Sequence, residues 1–376
     1  MKIPFNKPHF TGYEAYHVAA AGASGKISGN GQYTQKCHSF FSNRYGFGKV
    51  LLTSSCTDAL EMTAILSQIE PGDEVIMPSF TFVSTANAFI LRGAHIVFAD
   101  SLPWSPNIDI SKIEALITKK TKAIVVVHYA GIACEMDELM VIARQHNLFV
   151  IEDAAHAIDS YYKDRPLGSI GDMAAFSFHE TKNVSCGEGG MLVVNDKPLE
   201  ARAEIIWEKG TNRAAFYRGE IDKYGWVDIG SSFLPSDLAA AYLLGQLDAL
   251  DDIQAKRKKI YQHYHKLLAP LEEAGKLKLP VIPDYACQNG HMFYVVTETG
   301  ELRDKLIAHL NKRGIQAVFH YLPLHLSPYY KEKHNGMLLP FSEYFADCLL
   351  RLPFYYDLTD EQIEEVSKSI SEFFAT

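Results

Sequence analysis

No two of the six cysteines (Cys37, Cys56, Cys134, Cys186, Cys287 and Cys348) form a C-x-x-C pair, and their spacings are long. That argues against a structural metal site or a disulfide scaffold and fits reduced thiols in a cytosolic protein. No stretch approaches the roughly 18 apolar residues of a membrane span. The opening MKIPFNKPHFTGYE lacks the apolar core of a signal peptide, so a cytoplasmic protein is expected. Basic charge is also short: 36 Lys and Arg against 45 Asp and Glu leave a net charge of -9. That balance argues against nucleic acid or an anionic membrane as partner, though not against a small anion held in a locally positive pocket. There is no G-x-x-x-x-G-K-[ST] loop, which argues against ATP, and no internal repeat or low-complexity segment. What remains is an ordinary globular composition, 47% hydrophobic and 22% charged over 376 residues, enough for two domains.

Between residues 48 and 195 short apolar runs recur: KVLLTSS, DEVIMPS, HIVFAD, KAIVVVHY, LFVIED, AAFSF and GMLVVND. Most are continuous rather than alternating, as in strands covered on both faces. Helix-like stretches fall between several of them: TDALEMTAILSQI, STANAFILRG, ISKIEALITKK and MDELMVIARQHN. This βαβ rhythm predicts a mostly parallel sheet flanked by helices. After residue 197 come LEARAEIIWEKG, a loop-rich segment, and one long helical stretch from DLAAAYLLGQL to HKLLAPL. The last hundred residues mix helices with short strands, HMFYVVTE and IQAVFHYLP. The expected organisation is a large α/β domain over residues 1–245 and a smaller α+β domain over residues 246–376, with the long helical stretch able to bridge them.

Ligands of open α/β sheets bind at the carboxyl ends of the strands. Several polar residues are expected there. Asp153 ends LFVIED and either caps the next helix or pairs with a protonated ring nitrogen; His156 follows three residues on. In TSSCTDALEM, Ser55 and Thr57 stand where a strand enters a helix, a place that suits a phosphate or an ordinary cap. Ser177 is positioned to add a hydroxyl. Phe80 or Phe82 can offer a flat face to a planar ring or simply pack in the core. The stretch FSFHETKN then places Lys182 between two core-bound runs, just before the glycines of CGEGG. A free lysine, with a pKa near ~10.4, is a poor nucleophile at neutral pH. Beside a carbonyl cofactor it forms a Schiff base. Pyridoxal phosphate requires a lysine, an acid for its ring nitrogen, an aromatic face and phosphate donors. Lys182, Asp153, Phe82 and the group Ser55, Thr57 and Ser177 supply one candidate set.

The succession GDEVIMPSFTFVSTANA, VVHYAG, IEDAAHA, FSFHETKN and GEGG resembles the nucleotide-sugar aminotransferases, fold-type I enzymes dependent on pyridoxal phosphate. The likeness runs from NGQYTQKCHSFF to PLH at residues 323–325. It implies that Lys182 carries the cofactor and moves the proton, Asp153 binds the ring nitrogen, His156 lies near the ring hydroxyl and Phe82 stacks on the ring. It implies a phosphate site at Ser55, Cys56, Thr57 and Ser177. It further implies a homodimer whose partner completes that site. Many members carry G-x-N-x-R-M in the segment that reaches across, where this chain reads GSSFLP, so that Ser232 and Leu234 stand in. VHYAGIACEMDEL, EKGTNR and IGSSFLPSD look like members that aminate C4 of a dTDP-linked 4-keto-6-deoxy sugar, with L-glutamate as donor, for surface polysaccharides such as lipopolysaccharide O-antigen. Lys209, Arg213, His320, Tyr321 and His325 are candidates for the sugar and its diphosphate. A 3-keto sugar aminotransferase, a pyridoxal-phosphate-dependent sugar dehydratase and a non-enzymatic regulator on the same fold are the alternatives.

Overall fold

A computed structural model describes residues 2–375. The seven apolar runs become the seven strands of one sheet: β1 Lys49–Thr53, β2 Glu74–Pro78, β3 His95–Ala99, β4 Thr121–Val127, β5 Phe149–Asp153, β6 Met173–Ser177 and β7 Gly190–Val194. Their spatial order is β1-β7-β6-β5-β4-β2-β3. β3, β2, β4, β5 and β6 pair parallel, and β7 runs antiparallel to both β6 and β1. The continuous apolar runs follow from this covering of both faces. On β1, Val50 and Leu52 join one core and Leu51 the other; on β4, Ile124 and Val126 oppose Ala123 and Val125 in the same way.

Helices Cys56–Leu66, Val83–Ile90, Met136–His146 and Glu200–Trp207 lie where the apolar period suggests. ISKIEALITKK is different: it forms two short 3₁₀ turns, Ile110–Lys112 and Glu114–Leu116. Its β-branched residues lose rotamer freedom in an α-helix, and Ile110 and Ile113 reach the core without one. The long helical stretch divides at Ala249 (φ −107°, ψ 11°) into Asp237–Asp248 and Leu250–Glu273. Two further helices, Tyr13–Ala23 and Gln32–Tyr45, precede the sheet. The second is capped from far along the chain. The buried Asp237 carboxylate accepts from the Thr34 amide (2.9 Å), the Thr34 hydroxyl (2.8 Å) and the Tyr33 amide (3.2 Å).

The C-terminal part builds its own core around a three-stranded antiparallel sheet, Tyr294–Val296, Leu349–Arg351 and Val318–Phe319 in that spatial order. Helix Leu250–Glu273 serves both parts: Leu250 and Ile253 pack against the large sheet, Ile260 and Tyr264 in the smaller core. The chain's beginning also joins the smaller core. Ile3 is buried there, bridges in parallel to Ile315, and accepts from the Gln316 amide at 3.0 Å. Among the described residues, no helix is long and apolar enough to cross a membrane.

Candidate active site

The carboxyl ends of β1, β2, β4, β5 and β6 line up along one edge of the sheet, and the antiparallel β7 begins there. A cavity of about 740 Å³ opens at this edge, between the sheet and the smaller core. That size suits a cofactor together with part of a substrate.

Strand β6 delivers Lys182. Because β6 and β7 pair as a hairpin, the connection between them turns back over the sheet edge instead of crossing it. The Phe178 amide donates to the Gly189 carbonyl (2.8 Å), and the Lys182 amide to the His179 carbonyl (2.9 Å). Gly187 sits at φ +83°, a backbone state that L side chains disfavour. Lys182 lines the cavity, and burial pulls its pKa down to about 8, with Arg351 pulling the same way and Cys56 and Asp153 opposing. A lysine so placed holds a reactive fraction of neutral amine near physiological pH.

Strand β5 delivers two carboxylates to opposite faces. Glu152 points away from the cavity. It accepts from the amides of Gly168 (2.7 Å), Ile170 (2.8 Å) and Gly171 (2.7 Å) and bonds His128 (3.0 Å). Asp153 lines the cavity, accepting from the Thr85 hydroxyl (2.7 Å) and the Ala155 amide (3.2 Å). Burial raises the Asp153 pKa against the pull of those bonds. A cationic ring nitrogen beside it would reverse that rise.

Ser55 caps helix Cys56–Leu66, its hydroxyl accepting from the Asp58 amide at 3.0 Å. The amides of Cys56 and Thr57 begin the helix and have no place in its ladder, so they can meet an anion. The Thr57 hydroxyl donates to Ser84 at 2.8 Å. Gly190 fits directly beneath: a Cβ there would lie 2.4 Å from the Ser55 carbonyl carbon and from the Cys56 nitrogen. Ser177 also lines the cavity. Of the two candidate aromatics, Phe80 is buried in the core and Phe82 lines the cavity, 55% exposed.

Three histidines share one wall. His156 accepts from the Ala130 amide through Nδ1 (3.3 Å), which leaves its proton on Nε2. Its ring stacks on His291 at 4.3 Å. His291 Nδ1 meets the Asn183 carbonyl at 2.8 Å, and His320 Nδ1 meets the Tyr129 hydroxyl at 2.8 Å. Burial pushes all three well below the usual histidine pKa, with the cations Lys182 and Arg351 adding to it, so they are neutral donors and acceptors. Tyr321 stacks on His320 at 3.6 Å. His291 and Arg351 were not expected from the sequence. Each lies far along the chain in an unremarkable context, HMFYVV or LLRLPF, and only folding brings it to Lys182.

The cavity thus gathers Ser55, Cys56, Thr57, Phe82, Asp153 and His156, and with them Ser177, Lys182, His320 and Tyr321. Four expected residues lie elsewhere. His325 is buried with both ring nitrogens engaged, Nδ1 by Ser79 (2.7 Å) and Nε2 by Glu343 (3.3 Å), which leaves neither for a substrate. Lys209, Arg213 and Ser232 are exposed and do not line this chain's cavity. They belong to a segment that leaves Tyr217, Tyr224 and Trp226 exposed, Trp226 by 85%.

Comparison with known proteins decides what this arrangement belongs to. The family model of the DegT/DnrJ/EryC1/StrS aminotransferases matches residues 11–371. The chain belongs to that family. This sugar aminotransferase is 34% identical over 379 residues to the spore coat polysaccharide biosynthesis protein SpsC of Bacillus subtilis, covering 98% of its own length and 96% of that protein. The aminotransferase TlmJ of Streptoalloteichus hindustanus matches with a TM-score of 0.91 and 30% identity over 99% of both chains. The PLP-form of Spr1654, described as a putative sugar aminotransferase of Streptococcus pneumoniae, matches with a TM-score of 0.90 and 27% identity over 99% of this chain and 98% of that one. The family's cofactor is pyridoxal phosphate, and the cavity fits it. It offers a lysine amine whose pKa is lowered by burial, a carboxylate in the same cavity, a helix start with free amides and an exposed aromatic face.

Proposed function

We propose that this aminotransferase transfers an amino group from L-glutamate to a keto-deoxysugar linked to a nucleotide. The best candidate is a dTDP-linked 4-keto-6-deoxyglucose that becomes the 4-amino-4,6-dideoxy sugar. The enzyme would work in the cytoplasm and supply surface polysaccharide. The observation that carries the reading is Lys182, half-buried at the sheet edge with Asp153 in the same cavity and a lowered pKa. The name of the SpsC relative, a polysaccharide biosynthesis protein, supports the pathway. Motif likeness alone supports the choice of sugar.

In this reading Lys182 holds the cofactor, Asp153 its ring nitrogen, and the Ser55–Thr57 turn with Ser177 its phosphate, while Phe82 covers the ring. Once bound, the cofactor supplies an electron sink for the bonds of the amine-bearing carbon. The freed Lys182 amine takes the proton from that carbon of the donor and later returns one to the sugar carbon. The His156 Nε2–H would be available to donate to the ring hydroxyl. Donor and sugar occupy the cavity in turn, so the wall of neutral histidines and Tyr321 must accept both. The exposed segment bearing Lys209, Arg213 and Ser232 supports a homodimer. A partner would cover Trp226 and Tyr224 and receive those polar residues at its own cavity.

Reduction of the cofactor-loaded protein with borohydride, followed by peptide mapping, should tag Lys182. Isotope-labelled glutamate should pass its nitrogen to one sugar of a keto-sugar panel. Lys182→Ala should lose turnover while still binding cofactor noncovalently; normal turnover in that variant would sink the mechanism.

A further inference from the structure

Arg351 ends the central strand of the small sheet, paired with Tyr294 on one side and Val318 on the other. Strand alternation turns Leu350 into the smaller core and Arg351 toward the cavity, which it lines. The guanidinium lies 4.7 Å from the centre of the Phe5 ring, which supports one of its faces. Its Nε is buried and has no hydrogen-bond partner, and among the described residues no carboxylate forms an ion pair with it. The contrast with Arg257 is informative. That arginine is buried outright, and its Nε donates to Gly290 (2.9 Å) and its Nη2 to His291 (2.7 Å). Arg257 is satisfied by the fold, and Arg351 is not.

A guanidinium stays charged under all ordinary conditions, and a buried charge without a partner is costly. Among the described residues, Arg351 is the one Lys or Arg besides Lys182 that lines the cavity. Its charge reaches Lys182, His156 and Tyr321. It shares the cavity with Lys182 but belongs to the small sheet, whereas the helix start suited to phosphate follows a strand of the large one. Of the anions in the proposed reaction, the donor's α-carboxylate is bonded directly to the reacting carbon. The diphosphate of a nucleotide sugar is held away from that carbon by the sugar ring. We propose that Arg351 anchors the α-carboxylate of the amino-acid donor, with Phe5 fixing the plane of its fork. The assignment rests on the aminotransferase reading above and adds the subsite that admits an amino acid rather than a simple amine.

The two halves can be measured apart in the loaded enzyme. Glutamate discharges the cofactor's visible absorbance, and the keto-sugar restores it. Arg351→Gln should raise the glutamate concentration needed for half-maximal rate by roughly 100-fold, the range for a buried charge pair that loses one member. The sugar half-reaction should stay within about threefold. 4-Aminobutyrate, which is glutamate without its α-carboxylate, supplies a readout that a merely structural role would not move. Wild type should prefer glutamate strongly, and Arg351→Gln should lose most of that preference. Arg351→Lys, which keeps the charge and packs more conservatively, should fall between. Preserved discrimination in Arg351→Gln, or equal loss in both half-reactions of Arg351→Lys, overturns the proposal and leaves the aminotransferase reading standing. A wild type that discharges with no amino acid overturns both.

Discussion

Replacing Gly190 by alanine tests whether the β7 start and the helix beginning at Cys56 form one rigid phosphate cradle. An added Cβ would meet the Ser55 carbonyl carbon, the Ser55 oxygen and the Cys56 nitrogen at 2.4 Å each, whereas ordinary contact begins near 3.4 Å. The difference, about 1 Å, must come from backbone. Gly190 is held in register by Thr53 on one side and Ser177 on the other, so the helix start is the part free to yield. A displacement of that size in a positioning element costs about 100-fold in function, and overpacking a filled site costs about 1–3 kcal/mol of stability. Gly190→Ala should therefore bind pyridoxal phosphate about 100-fold more weakly, measured by absorbance titration of the cofactor-free protein. Urea unfolding should show a loss in the stated range. Gly187→Ala is the control. It sits at φ +83° with nothing within 4 Å, so it should lose about 1–2 kcal/mol of stability through backbone strain and keep its cofactor affinity. The cradle argument fails if Gly190→Ala binds cofactor as tightly as Gly187→Ala does.

Covalent attachment of cofactor to the empty enzyme requires the neutral Lys182 amine, so its rate should rise with pH and level off above about 8, the value to which burial pulls the lysine; a flat profile between pH 6 and 9 contradicts this. Glu152→Gln should cost about 3–5 kcal/mol in chemical unfolding, because an amide cannot accept from His128 and three amides at once. Burial opposes ionisation of Glu152, but the His128 hydrogen bond and the backbone amides outweigh it, and the net shift is downward. A depressed carboxyl contributes stability above its unfolded pKa of ~4.3. The gap between wild type and Glu152→Gln should therefore be full at neutral pH and narrow as pH falls below about 4. A gap that widens in acid contradicts the assignment.

The main sheet was legible because burial on both faces makes each strand a continuous apolar run, and the polar residues that follow such runs fall together at one edge. Lys182, Asp153 and Ser55 were readable for that reason. The start of helix Gln32–Tyr45 was not, since Asp237 reaches over from another helix to its amides; helix Tyr13–Ala23 does carry a local signal, the Thr11 and Glu14 of TGYE, which the apolar-run reading passes over. His325 shows the opposite failure. In sequence it stands beside cavity residues, but the 3₁₀ turn Leu324–Leu326 rotates it inward onto Ser79 and Glu343. Arg351 carries no local signal, because an unpaired charge is visible only once its surroundings are known.

Ile3 and Ile315 are neighbours in the smaller core although 312 residues separate them. At the usual pace of synthesis, that interval lasts on the order of tens of seconds. Throughout it the segment around Ile3 has no core to enter, while the strands of the main sheet are already being made. That segment is thus among the last parts to be buried. A tag or fusion joined next to Ile3 would be felt at the latest step of maturation, where the smaller core closes beside the cavity.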